Sequence, residues 1–293
     1  MLTILLNWIY IFATTYVMGH ALLHLFSRIL KYEKKVHFLP AMLAGFAFVT
    51  AYAGYFSLFY KVGLLANIIL ILLCIPAVIL DRAHYGKMQV QFIQLARKVR
   101  RVLFRRGSDE KVNWMKVFSS MLQLFAAILL LFAILFFTCY GNFHSDSGLY
   151  HAQAIRWIEE YGIIKGLGLV QNRFGYNSAF FSVSALYSFA FAGQSLHGVN
   201  GYMAALVSLY ALHRILSAAL DKTFGNLHTT VAFAPLLYTV IGGLELISPT
   251  TDPILLYLVF AIIMWWACLL DEREEAVMPF AFLCVMMAFL VSV

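Results

Sequence analysis

Apolar runs of about twenty residues alternate with short polar breaks along most of the chain, a pattern that predicts bilayer-crossing helices. The first run covers Leu2 to Leu30 and the second Phe38 to Tyr60. Lys61 and Gly63 mark a tight turn, and Val62 to Leu80 leads back. A fourth run extends from Val117 to Thr138. The pattern then stops, and residues 139–178 are polar and mixed in charge. Ala179 to Phe191 is apolar but too short for a full span, nearer a re-entrant helix. Val199–Leu220, Leu227–Ile247 and Ile254–Leu270 follow. A last apolar run begins near Val277 and continues to Val293 with no polar tail, which reads either as a helix ending flush with the membrane or, the reading we favour, as a fragment of a longer protein. The expected fold is all-α and polytopic, with about eight or nine helical segments and an amphipathic helix in an extracytoplasmic loop. Its three parts are membrane helices in 1–138, a catalytic loop in 139–178 and further membrane helices in 179–293.

Composition agrees with lipid as the solvent. Hydrophobic residues make up 62% of the chain, charged residues 12%, and the mean hydropathy is +0.83. A water-soluble domain of this size does not need that much apolar surface. The net charge of +7 raises nucleic acid as a partner, but the basic residues cluster beside spans, as topology signals do. We therefore expect no nucleic acid. Cys74, Cys139, Cys268 and Cys284 lie in or beside apolar runs without metal-ligand spacing and read as small buried hydrophobes. The first run lacks a basic leader and a small-x-small cleavage site, so it reads as a retained span.

Charge sets the expected orientation. Lys31, Lys34 and Lys35 follow the first span, and ten basic residues lie between Arg82 and Lys116 against Asp81, Asp109 and Glu110. Both clusters mark the cytoplasmic side. Within 81–116, Phe92, Leu95, Ala96, Val99, Val102 and Leu103 recur at helical spacing, which reads as an interfacial helix on anionic lipid. By parity the island at 139–178 is extracytoplasmic.

The island holds the chemistry. Ser145 or Asp146 is placed to cap a helix running to about Tyr161 and ended by Gly162. Leu149, Ala152, Ile155 and Ile158 give that helix an apolar side. Asp146 is the candidate catalytic base, with the helix cap as the bland alternative. Arg156 and Arg173 are candidates to clamp phosphate, or else meet lipid headgroups. His144, Tyr150, His151 and Asn177 complete the expected substrate-binding set. His144, Asp146 and His151 also offer imidazole and carboxylate ligands, so a divalent cation stays open as a cofactor. His20 and His24, at i and i+4, share a helix face and fit either a metal or simple packing.

The stretch DSGLYHAQAIRWIEEYGIIKGLGLVQNRFGYNS resembles the first large external loop of polytopic GT-C-type glycosyltransferases. The likeness is to a bacterial group with D-S-x-x-Y-H-x-x-x-I-R-W, a glycine-rich stretch and R-F-G-x-N-S. It implies that Asp146 matches the base that activates an acceptor hydroxyl against a sugar on a lipid phosphate. It further implies a lipid-linked sugar donor, a glycan or lipid acceptor, and a bacterial inner membrane with the site extracytoplasmic. Two features depart from the common plan. Four spans precede the loop here instead of one, and Ser147 follows Asp146 where many such loops have a second acid. A transporter or flippase, or a polymerase or ligase of lipid-linked glycans, is the alternative.

The element SPTTDP at 248–253 depends on the short helix. If 179–191 does not cross, Asp252 lies on the same side as Asp146 and joins the candidate site, as a Thr-Asp-Pro-like element does in the resembled enzymes. The competing reading of Asp252 is an N-cap before Pro253.

Overall fold

The computed structural model describes all residues except 33, 35, 104–113 and 222, and within helices leaves aside the side chains of 95, 98–103 and 114–116. Lys35, Arg105, Arg106, Lys111 and Lys222 of the basic clusters fall outside the described residues. The protein is an all-helical polytopic membrane protein, with no strand among the described residues. Six helices are long and apolar enough to cross a membrane, seven when one bent pair counts as a span.

The elements follow the apolar runs. They are α1 (Leu2–Ile29), α2 (Phe38–Ser57), α3 (Leu64–Leu80), α4 (Arg82–Leu103) and α5 (Trp114–Tyr140). The island carries a π-helical turn (Ser147–His151), α6 (Ala152–Tyr161), α7 (Leu167–Val170) and a 3-10 turn (Asn172–Tyr176). Then come α8 (Ala179–Tyr187), α9 (Val199–Asp221), α10 (Leu227–Val231), α11 (Phe233–Gly242), α12 (Thr251–Asp271) and α13 (Val277–Leu290). The segment Arg82–Gln94 of α4 leaves α3 at 82°, nearly perpendicular to a span.

Lipid gives apolar helices no hydrophobic reason to associate, so close backbone packing and hydrogen bonds must hold them. At the α1–α2 crossing, a Cβ on Gly19 would lie 1.8 Å from the Ala41 carbonyl oxygen, and one on Gly45 1.7 Å from that of Thr15. Only glycine permits that approach. Hydroxyl pairs tie other helices: Thr14 to Tyr187 at 2.8 Å, Ser208 to Thr239 at 2.7 Å, and Thr239 to Tyr257 at 2.8 Å.

Two ends of the bundle emerge from the contacts. At the first, the Val62 N–H donates to the Ile158 carbonyl at 3.0 Å and the Ile163 N–H to that of Ser57 at 2.8 Å, fixing α6 over the α2–α3 turn. Asn200 Nδ2 donates to the carbonyls of Ser248 and Thr250 at 2.7 and 2.8 Å, joining the starts of α9 and α12. At the opposite end, Lys34 bridges to Glu274 at 2.7 Å, and the Leu227 N–H donates to Asp271 at 3.1 Å.

Helix α8 does not traverse the bundle. Nine residues rise about 13 Å against a hydrocarbon core of about 30 Å. Its last carbonyls, Leu186 and Tyr187, accept from Asn67 at 2.9 Å and Asn7 at 2.8 Å, near the starts of α3 and α1. The chain then meets Trp8, whose Nε1 donates to the Gly198 carbonyl at 2.8 Å, and α9 starts at the island end. Consequently α12 also starts there, and Asp252 lies at the same end as Asp146.

Candidate functional site

Past α5 the chain is irregular at residues 142–144 and turns helical at Ser145. The π turn buries Ser147, Tyr150 and His151 at 0%, 9% and 4% exposure, while the Asp146 side chain stays 35% exposed. Gly162 ends α6 at φ +82, where a Cβ would lie 2.6 Å from the Ser57 carbonyl oxygen.

Asp146 does not cap this helix. Its backbone is already helical at φ −65 and ψ −25, and its side chain makes no capping bond. His144 takes that role, its Nδ1 accepting from the Asp146 N–H at 3.1 Å. The expected cap at Ser145 or Asp146 is therefore corrected, and the Asp146 carboxylate is left to other partners. Arg173 Nη1 donates to Asp146 Oδ1 at 3.1 Å, and its guanidinium lies 5.2 Å from the centroid of the Tyr150 ring. Tyr150 sits 4.0 Å from the His151 ring and meets Tyr176 edge-on at 6.0 Å. The His144 N–H donates to Ser248 Oγ at 2.7 Å, which ties the island to the SPTTDP element.

The electrostatics follow from this packing. Burial pushes the His151 imidazole down from its ordinary value, against the opposing pull of Asp146. Burial also pushes the Tyr150 hydroxyl up, and the negative charges of Asp146 and Asp252 add to it. The result is a half-open carboxylate with one partly exposed guanidinium on it, beside a buried imidazole and a buried phenol.

A family model described as a domain of unknown function, DUF8201, matches residues 1–293. The chain belongs to that family. No curated protein and no solved structure matches it.

In this DUF8201 chain the other expected site residues fall into different places. Arg156 is turned away from Asp146: its guanidinium pairs with Glu160 at 2.6 Å and lines a cavity beside the α2–α3 turn. Asn177 is exposed, with a left-handed backbone at φ 46, and ends the 3-10 turn. Asp252 is exposed in the first turn of α12, whose N-cap is Thr250, so the N-cap reading of Asp252 is corrected as well. A carboxylate there still meets the positive end of the helix. Among the described residues, no group of three or more His, Cys, Asp or Glu side chains is arranged to hold a metal ion. Three residues escaped the sequence reading: Ser248, Asn200 and Tyr176. Ser248 sits inside SPTTDP, so the motif carried a signal, but hydrogen bonds across 104 and 48 residues of separation leave no local pattern.

Proposed function

We propose that the protein transfers a sugar from a polyprenyl-phosphate-type donor to a glycan or lipid-linked acceptor at the island end of the bundle. The observation that supports this most is the open Asp146 carboxylate with Arg173 on one of its oxygens, beside His151 and Tyr150. In the proposed reaction the donor phosphate draws Arg173 toward itself and frees Asp146. An acceptor hydroxyl oxygen then bonds to the anomeric carbon while its proton passes to Asp146. The bond from that carbon to the phosphate oxygen breaks, and the lipid phosphate leaves as an anion stabilised by the guanidinium. A phosphate leaving group needs little acid assistance, so one base and one cation are a sufficient minimum. The resemblance of the island to the GT-C loop supports the same chemistry. Orientation by basic residues supports an extracytoplasmic site, and the resemblance to a bacterial group supports an inner membrane and cell-envelope glycan synthesis.

The direct test is transfer of a radiolabelled sugar from a polyprenyl-phosphate donor by purified protein in proteoliposomes. Absence of transfer to any glycan or lipid acceptor removes the reading. The orientation has its own test. A cysteine at exposed Gly148 should react with an impermeant thiol reagent from outside intact cells, and one at Gly86, with open space around it, only after permeabilisation. The reverse pattern puts the site on the wrong face for an external donor.

One observation favours a transporter or flippase instead. Asp81, at the sharp α3–α4 break, is buried between His20 and His24, and ionisable groups at broken helices are characteristic of transport sites. Lipid-linked glycan moving across proteoliposomes without any sugar transfer supports that reading over ours.

A further inference from the structure

On the face of α6 turned away from Asp146 lies a chamber of about 550 Å³. Its walls are the turn at 60–65, the α6 residues Arg156, Glu159 and Glu160, and the loop at 190–195. Glu159 forms part of it at 8% exposure, one carboxylate oxygen accepting from Ser195 Oγ at 2.7 Å. Burial pushes this carboxyl above its ordinary value. Arg156 and Glu160 are paired at 2.6 Å, and Lys61 stands exposed at the rim. The rings of Tyr60, Tyr161 and Phe191 complete the lining. Two cations thus face two carboxylates, and the chamber has no net formal charge to draw an anion.

A second cavity of about 690 Å³ runs between α1 and α3 and shares Leu64, Phe191 and Gly193 with the chamber wall. Leu6, Ile68 and Ile71 make it apolar. Several of its polar groups are already paired: Tyr10 donates to Asn67 Oδ1 at 2.9 Å, Asn67 Nδ2 donates to the carbonyls of Leu186 and Gly63, and Asn7 Nδ2 donates to that of Tyr187. Ile68 and Ile71 are 44% and 49% exposed on the helix surface that would meet lipid, so a hydrocarbon chain can enter from the side.

We propose that chamber and groove together bind one glycolipid, with its sugar headgroup against Glu159, Glu160 and Arg156 and one chain along α1 and α3. Carboxylates accept hydrogen bonds from sugar hydroxyls, while guanidinium and ammonium donate to them. Aromatic rings offer the flat apolar faces that a pyranose ring stacks on. A phosphate headgroup meets two carboxylates here and gains nothing from the balanced charge. The site stands apart from the transfer reading, because binding is measured with no reaction and at a place Asp146 does not touch.

The test uses the full chain in phosphatidylcholine nanodiscs doped with either a diacyl monoglucoside or phosphatidylglycerol of the same chains. Native mass spectrometry counts the dopant retained on the protein. The glucoside should be retained over phosphatidylglycerol, and Glu159→Gln should lower its retention about tenfold, as loss of charge-assisted hydrogen bonds does. Ile68→Trp, which fills the groove, should abolish retention of the diacyl glucoside yet leave binding of hexyl glucoside. Asp146→Asn should change neither. Ser195→Ala, a milder change, gives a smaller loss and serves where Glu159→Gln lowers the melting temperature. Equal retention of phosphatidylglycerol overturns the proposal. So does a loss caused by Asp146→Asn with Glu159→Gln unaffected.

Discussion

Asp146 and Asp81 are both aspartates with histidines nearby, at opposite ends of the bundle. Asp81 is 3% exposed, and each of its oxygens faces an imidazole: His20 on one and His24 Nδ1 at 3.4 Å on the other. His84 stacks on the His20 ring at 3.7 Å and bonds the Tyr16 hydroxyl at 2.9 Å. Asp146 is 35% exposed, with a single cation on one oxygen. A buried carboxylate has to be surrounded by partners to offset lost hydration, which fixes its neighbours. An open one keeps water as an alternative partner and can exchange Arg173 for a ligand at little cost. The difference separates a residue that holds helices together from one free to react.

The largest expected effect belongs to Asp146→Asn. Size and helix are kept, charge and basicity are lost, and sugar transfer should fall roughly a hundred- to ten-thousand-fold in protein that inserts and melts normally. Full activity in this variant makes the two aspartates equivalent and places any base elsewhere. Asp81→Ala should do the reverse, destabilising by about 3 kcal/mol because the buried His20 imidazole loses its acceptor and His24 loses the nearby charge. Thermal melting in detergent checks it, and an unchanged melting temperature with lost activity breaks the comparison. Arg173→Lys keeps charge but loses the planar fork, so transfer should drop about tenfold, mainly through weaker donor binding, as steady-state kinetics would reveal.

The smallest effect concerns Glu274, at the same end as Asp81. Its hydrogen bond with Lys34, together with backbone donors, pulls its carboxyl from 4.5 down to about 2. Because the folded value is the lower one, its contribution is present above about pH 4.5 and lost as the pH falls toward 2. Melting temperatures of Lys34→Met should show a shallower acid decline than wild type, and identical slopes contradict the assignment.

How much of this was legible in the sequence depends on range. The spans were readable because the hydrophobic period reports burial in lipid residue by residue. Helix α8 was readable from length alone, since thirteen apolar residues between Ala179 and Phe191 cannot reach across. The joining of Asp252 to the island followed from that count. What sequence could not give is the face each island residue takes. Asp146 and Arg156 are ten positions apart, which at 100° per residue puts them about 80° apart on a regular helix, and the π turn alters even that. The likeness to a family motif lists both residues without saying that Asp146 meets Arg173 while Arg156 meets Glu160. The Asp81 cluster was hidden for another reason. His20 and His24 announced a shared face, but their partner lies 61 positions from His20, at a helix break with no local signature.

The π turn has an evolutionary consequence. A turn at 147–151 that takes i→i+5 bonds holds one residue more than a regular helix needs. Deleting a single codon there would restore the regular helix and leave the turns on either side in register. Helix α6 would keep its hydrogen bonds to the α2–α3 turn, and the change would fall on Ser147, Tyr150 and His151, the residues the π turn buries. The opposite event, a one-residue insertion, is thus a sufficient origin for the packing beneath Asp146 without any shift of α6. A lineage lacking that residue should keep the chamber beside the α2–α3 turn and change the side chains packed next to Asp146.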